Sequence, residues 1–292
     1  DFGGRAVPTL EAVGFGVVPC DASDTSCAVD HFGHGTRTAG IVGGSVYGVA
    51  KEAILHAVKV FGNDGKGNFW WFVAGIDWVM AYGKKPAVIV ASAQVHAHLL
   101  AVKFAIDSAV DSGIPVVVAA GTHGGHESEE ACTYSPGTVR SALVVAATEK
   151  PPGGGKDQRA PYSTIGSCLD IFAPGSDIAT VSQESDRATA LTSGTAVACP
   201  HVAGAAALLL GQNGNRTAEE VKKLLLARAT FNAVVDAGKG SPNALLYAGE
   251  HLFDPEGPAG KGGSGGKASD GGGATGGGSG SSDGAGGDSS DG

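Results

Sequence analysis

Ser193-Gly194-Thr195-Ala196-Val197-Ala198-Cys199-Pro200-His201-Val202-Ala203-Gly204 is the stretch on which the fold reading turns. A tight Ser-Gly-Thr turn leads into a helix of small apolar residues with a proline in its first turns. Such a helix, apolar on every side, is buried all round. Its start offers unpaired backbone N–H groups and the positive end of the helix dipole. That combination suits a site where negative charge develops on an oxygen. Ser193, in the turn, reads as the helix cap.

A second glycine-flanked stretch lies upstream: Gly33-His34-Gly35-Thr36-Arg37-Thr38-Ala39-Gly40. A histidine between two glycines, at the entry to a small-residue helix, is poorly explained as core packing, because a buried imidazole needs a hydrogen-bond partner. Around these two stretches, apolar strands alternate with helices. Ala53–Phe61, Pro86–Ser92, Ile114–Ala120 and Ala142–Thr148 read as strands. Phe72–Tyr82 and Leu99–Ser112 read as helices, the second stopped by Gly113. Near the end, Thr217-Ala218-Glu219-Glu220 is a capping box opening a helix with Val221, Leu224 and Leu225 on one face. Continuous apolar strands between helices predict a mostly parallel sheet covered on both faces, an α/β fold in three layers.

The chain has 292 residues, 42% of them hydrophobic, enough for one sizeable core. A net charge of -9 argues against nucleic acid or an anionic membrane as partner. No apolar run approaches the roughly 18–20 residues that span a bilayer. The opening Asp1-Phe2-Gly3-Gly4-Arg5, without Met or a signal-like segment, reads as a processed or incomplete start. The folded part is expected over residues 1–253. Residues 254–292, dominated by Gly, Ser and Asp, read as a disordered tail. Cys20 and Cys27 lie close enough in a polar loop to bridge, and an odd total of five cysteines leaves at least one thiol free.

The His34 and Ala196 stretches resemble the His and Ser signatures of the subtilase family, in its proteinase K-like branch. Supporting similarities run in the family's order over about residues 1–250. They include Tyr47–Lys51, Val58–Val60, Ala74–Asp77, Val118–Gly121, Tyr134–Pro136 and Gly166–Gly175. The resemblance implies a subtilisin-like fold, secretion and a Ser-His-Asp triad acting on peptide bonds. In such a triad the His takes the Ser proton, the Asp orients the His, and donors cradle the oxyanion. His34 then takes the general-base position. The nucleophile position holds Ala196, which cannot attack a carbonyl, and the oxyanion asparagine position holds Thr122. The orienting Asp would belong to a strand before Asp1, leaving the sheet short of its first strand. Asp21, Asp24 and Asp30, in the loop leading to His34, are poor substitutes.

On the substrate side, the family's paired glycines fall near Val95-His96, where side chains should crowd the cleft. The opposite rim keeps the glycine pattern in Gly65, Gly67 and Asn68, which could pair with an extended peptide or protein segment. Asp170 matches a position where relatives hold a structural calcium, largely through nearby backbone carbonyls. The histidines lack ligand spacing for a transition metal. An engineered Ser→Ala change at 196 would leave Thr122 and the lost glycines unexplained, whereas natural divergence or an unreliable gene model accounts for all three. Ser193 and Cys199 are the substitute nucleophiles to weigh; a buried thiol at 199 behaves as a small hydrophobe. Two readings follow: a pseudoprotease that binds peptides or proteins without cleaving them, or an altered or fragmentary copy of a serine endopeptidase.

Overall fold

Val116-Val117-Val118-Ala119 is apolar at every position because both faces of the strand are covered. The structure, a computed structural model, describes residues 1–95, 97–123 and 130–249. The expected tail at 254–292 and His96 lie outside the described residues. In chain order the elements are β1 (Ala6–Glu11), β2 (Val18–Pro19), α1 (His34–Gly43), β3 (Leu55–Lys59), α2 (Phe69–Tyr82), β4 (Ile89–Ala91), α3 (Leu100–Asp111) and β5 (Val116–Ala119). There follow β6 (Leu143–Glu149), β7 (Gln158–Arg159), β8 (Ile171–Pro174), β9 (Ile178–Val181), β10 (Thr189–Thr192), α4 (Thr195–Gln212), α5 (Ala218–Ala227), β11 (Thr230–Phe231) and β12 (Ala244–Leu245).

The central sheet has the order β11-β12-β8-β6-β5-β4, with β7 paired on β6. From β12 to β4 every neighbouring pair is parallel. The register Ile89↔Val116, Val117↔Leu143 and Val145↔Ile171 sets the layers. Alternate residues face opposite sides, as the two-residue period of a strand requires. Val117, Leu143, Val145 and Ile171 meet Ala198, Val202 and Leu209 of α4 and Val221 and Leu225 of α5. Val116, Val118, Val144 and Phe172 meet Ile76 of α2 and Val102 and Ile106 of α3. The expected three-layer α/β fold is therefore present.

A separate sheet, β2-β1-β3, joins β1 and β3 in parallel. Among the described residues β3 pairs only with β1, and β4 only with β5, so each leaves one parallel edge without a strand. Strand lengths come out shorter than the apolar runs suggest: β3 is five residues and β4 three. In the other direction, α2 starts at Phe69 rather than Phe72, because the Asn68 side chain accepts from Trp70 N and Trp71 N and caps it.

α4 contradicts the expectation that no segment is long and apolar enough to span a bilayer. Its 18 residues pass on length and hydropathy, yet 67% of the span is buried inside the fold. It is the core helix between the sheet and α1, and Gly, Ala and Thr dilute its apolar signal in the sequence. Two disulfides, Cys20–Cys27 and Cys132–Cys168, staple loops, and Cys199 is the buried free thiol.

Candidate functional site

His34 opens α1 and Ala196 sits in the first turn of α4; packing of these two helices brings the motifs together. The approach is close because α4 carries glycine at the contact. A Cβ on Gly204 would lie 2.6 Å from Val49 Cβ and 3.1 Å from Val42 O. Gly33, the N-cap of α1, has φ 94, a left-handed conformation that glycine adopts without strain. The cap itself comes from Asp30. Its carboxylate accepts from Gly33 N at 2.7 Å, Thr36 N at 2.7 Å, Phe32 N at 3.1 Å and the Thr36 hydroxyl at 2.8 Å. Burial pushes this carboxyl up, but the four donors outweigh it and hold it below the usual carboxylate range. Asp30 is thus committed to the helix start and does not orient His34.

The His34 ring makes one described hydrogen bond, from Nε2 to Ser92 O, at 2.9 Å. A carbonyl only accepts, so Nε2 carries the proton. In the triad chemistry that nitrogen must instead accept a proton from the nucleophile. Among the described residues no carboxylate hydrogen-bonds to either ring nitrogen. His34, expected from the resemblance to act as general base, thus has its Nε2 already donating.

Ala196 is half-buried, with Gly194 before it at φ 145. Its N–H lies in the first helical turn, where no intrahelical acceptor exists. Beside it, Thr122 Oγ1 accepts from Thr195 N at 3.1 Å and shares a 3.0 Å bond with Thr195 Oγ1. Thr195 Oγ1 also accepts from Gly121 N at 3.2 Å. The Thr122 hydroxyl is therefore drawn onto the helix end. The backbone of Thr122 is held by Gln94, which accepts from Thr122 N at 2.6 Å and donates to Thr122 O at 3.1 Å.

Neither substitute nucleophile is placed to act. Ser193 does not cap α4, correcting the expectation. Gly194 is the N-cap, without a side-chain bond, and Ser193 Oγ accepts from Asp177 N at 2.9 Å. Burial pushes the Cys199 thiol up to about 12, and its Sγ donates to Val117 O. A thiol in that state is not a nucleophile at neutral pH. His201, bonded to Val197 O at 3.1 Å, is lowered by burial and stays neutral within α4.

The two rims differ. Val95 pairs both of its backbone groups with Ser135, at 2.8 and 3.1 Å, so this point of the edge is closed from within. On the other rim, Gly67 bridges to Phe61, and a Cβ there would lie 2.6 Å from the Phe61 ring. Gly65 has φ 74 and lies against the Phe32 ring. The glycine pattern at 65 and 67 is thus required by packing inside the rim, and Asn68 is spent on capping α2. Asp170 is held by Lys222, whose Nζ lies 2.8 Å from Oδ2. No three of His, Cys, Asp or Glu form a metal-ligand group among the described residues. Sequence reasoning missed Ser92, Gln94 and Thr195, which bond through a backbone carbonyl, a side-chain amide and a hydroxyl that no spacing announces. It also missed the Cys132–Cys168 bridge, whose partners lie 36 residues apart.

The profile of the family described as "Subtilase family" matches residues 19–256. The chain is 44% identical over 220 residues to the extracellular serine proteinase of Thermus sp. (strain Rt41A), covering 75% of this chain and 51% of that protein. It is 39% identical over 248 residues to alkaline serine exoprotease A of Vibrio alginolyticus, covering 85% of this chain and 42% of that protein. The chain thus spans about half the length of these curated relatives. A crystal structure of a cold adapted subtilisin-like serine proteinase superposes with a TM-score of 0.73 at 37% identity, covering 85% of this chain and 82% of that one. On fold, motif order and these likenesses, the chain belongs to the subtilase family of serine peptidases.

Proposed function

We propose that this chain is a pseudoprotease, a subtilase-fold protein that engages extended peptide or protein segments and does not hydrolyse them. The observation that carries the reading is the pairing of Ala196 with a His34 whose Nε2 already donates to Ser92 O. In subtilisin, losing the nucleophilic serine costs about 10⁶ in turnover, and losing the oxyanion asparagine costs roughly 10²–10³. Because these groups act as a unit, the losses do not simply add; the missing serine alone removes nearly all turnover. The Gly65–Asn68 rim, whose turn is held by Gly62 N donating to Lys66 O at 2.7 Å, keeps an ordered backbone beside the site. An extended segment bound there is the partner class this shape favours.

The name of the Thermus relative, a serine proteinase, favours a second reading, a serine endopeptidase of which this chain is an altered or fragmentary copy. A binding experiment separates the two. Fluorescein-labelled peptides from unfolded casein are titrated with the protein by fluorescence polarisation, and the mixture is then weighed by mass spectrometry. The pseudoprotease reading expects saturable binding with every peptide recovered at its starting mass. Shortened peptides that depend on His34 would favour the endopeptidase; absence of binding would remove the peptide-binding part of the proposal.

A further inference from the structure

Lys222 lies in the second turn of α5, and its ammonium reaches back to the ends of two central strands. It donates to Ala142 O at 2.6 Å, to Asp170 Oδ2 at 2.8 Å and to Arg140 O at 2.9 Å. Asp170 Oδ2 accepts in addition from Val144 N at 2.9 Å. Both side chains are largely buried, 19% exposed for Lys222 and 16% for Asp170. An ammonium has three protons and here meets three acceptors, so its hydrogen bonding is complete. The acceptors are a carboxylate and two backbone carbonyls, a hard-oxygen set of the kind that calcium selects. The place among these three oxygens is taken by the ammonium itself.

The residues present therefore do not fit a calcium ion at Asp170 while Lys222 is there. α5 cannot easily swing the ammonium out. Its start is fixed by the Thr217–Glu220 capping box, and the neighbouring Val221 and Leu225 are buried against the sheet. We infer that Lys222 is an intramolecular cation that fills this oxygen cluster, so that the chain takes no calcium through Asp170, and that removing the ammonium opens a divalent-cation site. The device ties α5 to the entries of β6 and β8 without an external ion. Its presence does not depend on whether the chain cleaves peptides.

Thermal unfolding of the full chain, followed by circular dichroism in chelator and in millimolar calcium or magnesium at matched ionic strength, tests this. Wild type and D170N should respond to calcium identically. K222M, which keeps the stem and deletes the charge, should lose about 3–9 °C in chelator. It should regain at least about half of that in calcium, less in magnesium, and nothing in the K222M/D170N double variant. A calcium-induced rise in wild type that D170N abolishes would overturn the inference. So would K222M that loses nothing, or loses stability without regaining it in calcium. If K222M folds in neither condition, terbium luminescence of the folded wild type and D170N decides: equal signals support the inference, and an Asp170-dependent signal overturns it.

Discussion

At residue 196, which the family resemblance puts at the nucleophile position, the side chain is a methyl group, and the polar groups around it bond to one another. His34 Nε2 points its proton at Ser92 O, and the Thr122 hydroxyl is bonded into Thr195. A serine placed at 196 would meet a base without a free lone pair on the required nitrogen. The oxyanion would meet the Ala196-position N–H but not an amide donor from residue 122. A196S should therefore remain inert towards fluorophosphonate probes, and its turnover should stay at least about 10³-fold below that of an intact subtilase. Labelling of the new serine at a rate typical of active family members would show that His34 readily leaves Ser92. Ala196 and Thr122 were legible in the sequence because they interrupt motifs with fixed order. The His34–Ser92 bond was not, since a backbone carbonyl carries no residue-type signature.

Among the elements, α1 depends on a single half-buried carboxylate. Asp30 satisfies the amides of Phe32, Gly33 and Thr36 together with the Thr36 hydroxyl, and D30N keeps the shape while weakening every one of those bonds. The expected loss is about 1–2 kcal/mol at neutral pH, the range of a strong helix cap. Because Asp30 is held below the usual carboxylate range in the folded state, its contribution is fully present above the pKa of an unfolded aspartate, about 3.9. It is lost as the pH falls through the folded value, where the carboxylate protonates. The stability gap between wild type and D30N, measured by chemical denaturation, should be full at pH 7 and should shrink below about pH 4. A gap independent of pH would mean that the charge on Asp30 is not what caps α1. The capping box of α5 was readable from Thr217 and Glu220, three residues apart, and it is present with both reciprocal bonds. The Asp30 cap was not, because its partners follow an irregular loop rather than the usual cap spacing.

Over the whole molecule, the continuous apolar strands and the small-residue α4 gave away the three-layer sheet, since burial on both faces removes most polar residues. What stayed hidden were the contacts across long separations. The Cys132–Cys168 bridge, the Lys222 bonds to Arg140 and Ala142, and the Val95–Ser135 pairing each join segments far apart in the chain. These depend on how the loops lie over the sheet, which local patterning does not encode. The central claim is the one proposed above, that this fold surrounds a site without turnover. The most direct measurement is hydrolysis of fluorescent casein by purified protein, folded by circular dichroism, beside H34A at equal concentration. The account predicts that the two traces coincide with buffer. Release of fluorophore by wild type that disappears in H34A would contradict it and return Ser193 and Cys199 to consideration as nucleophiles.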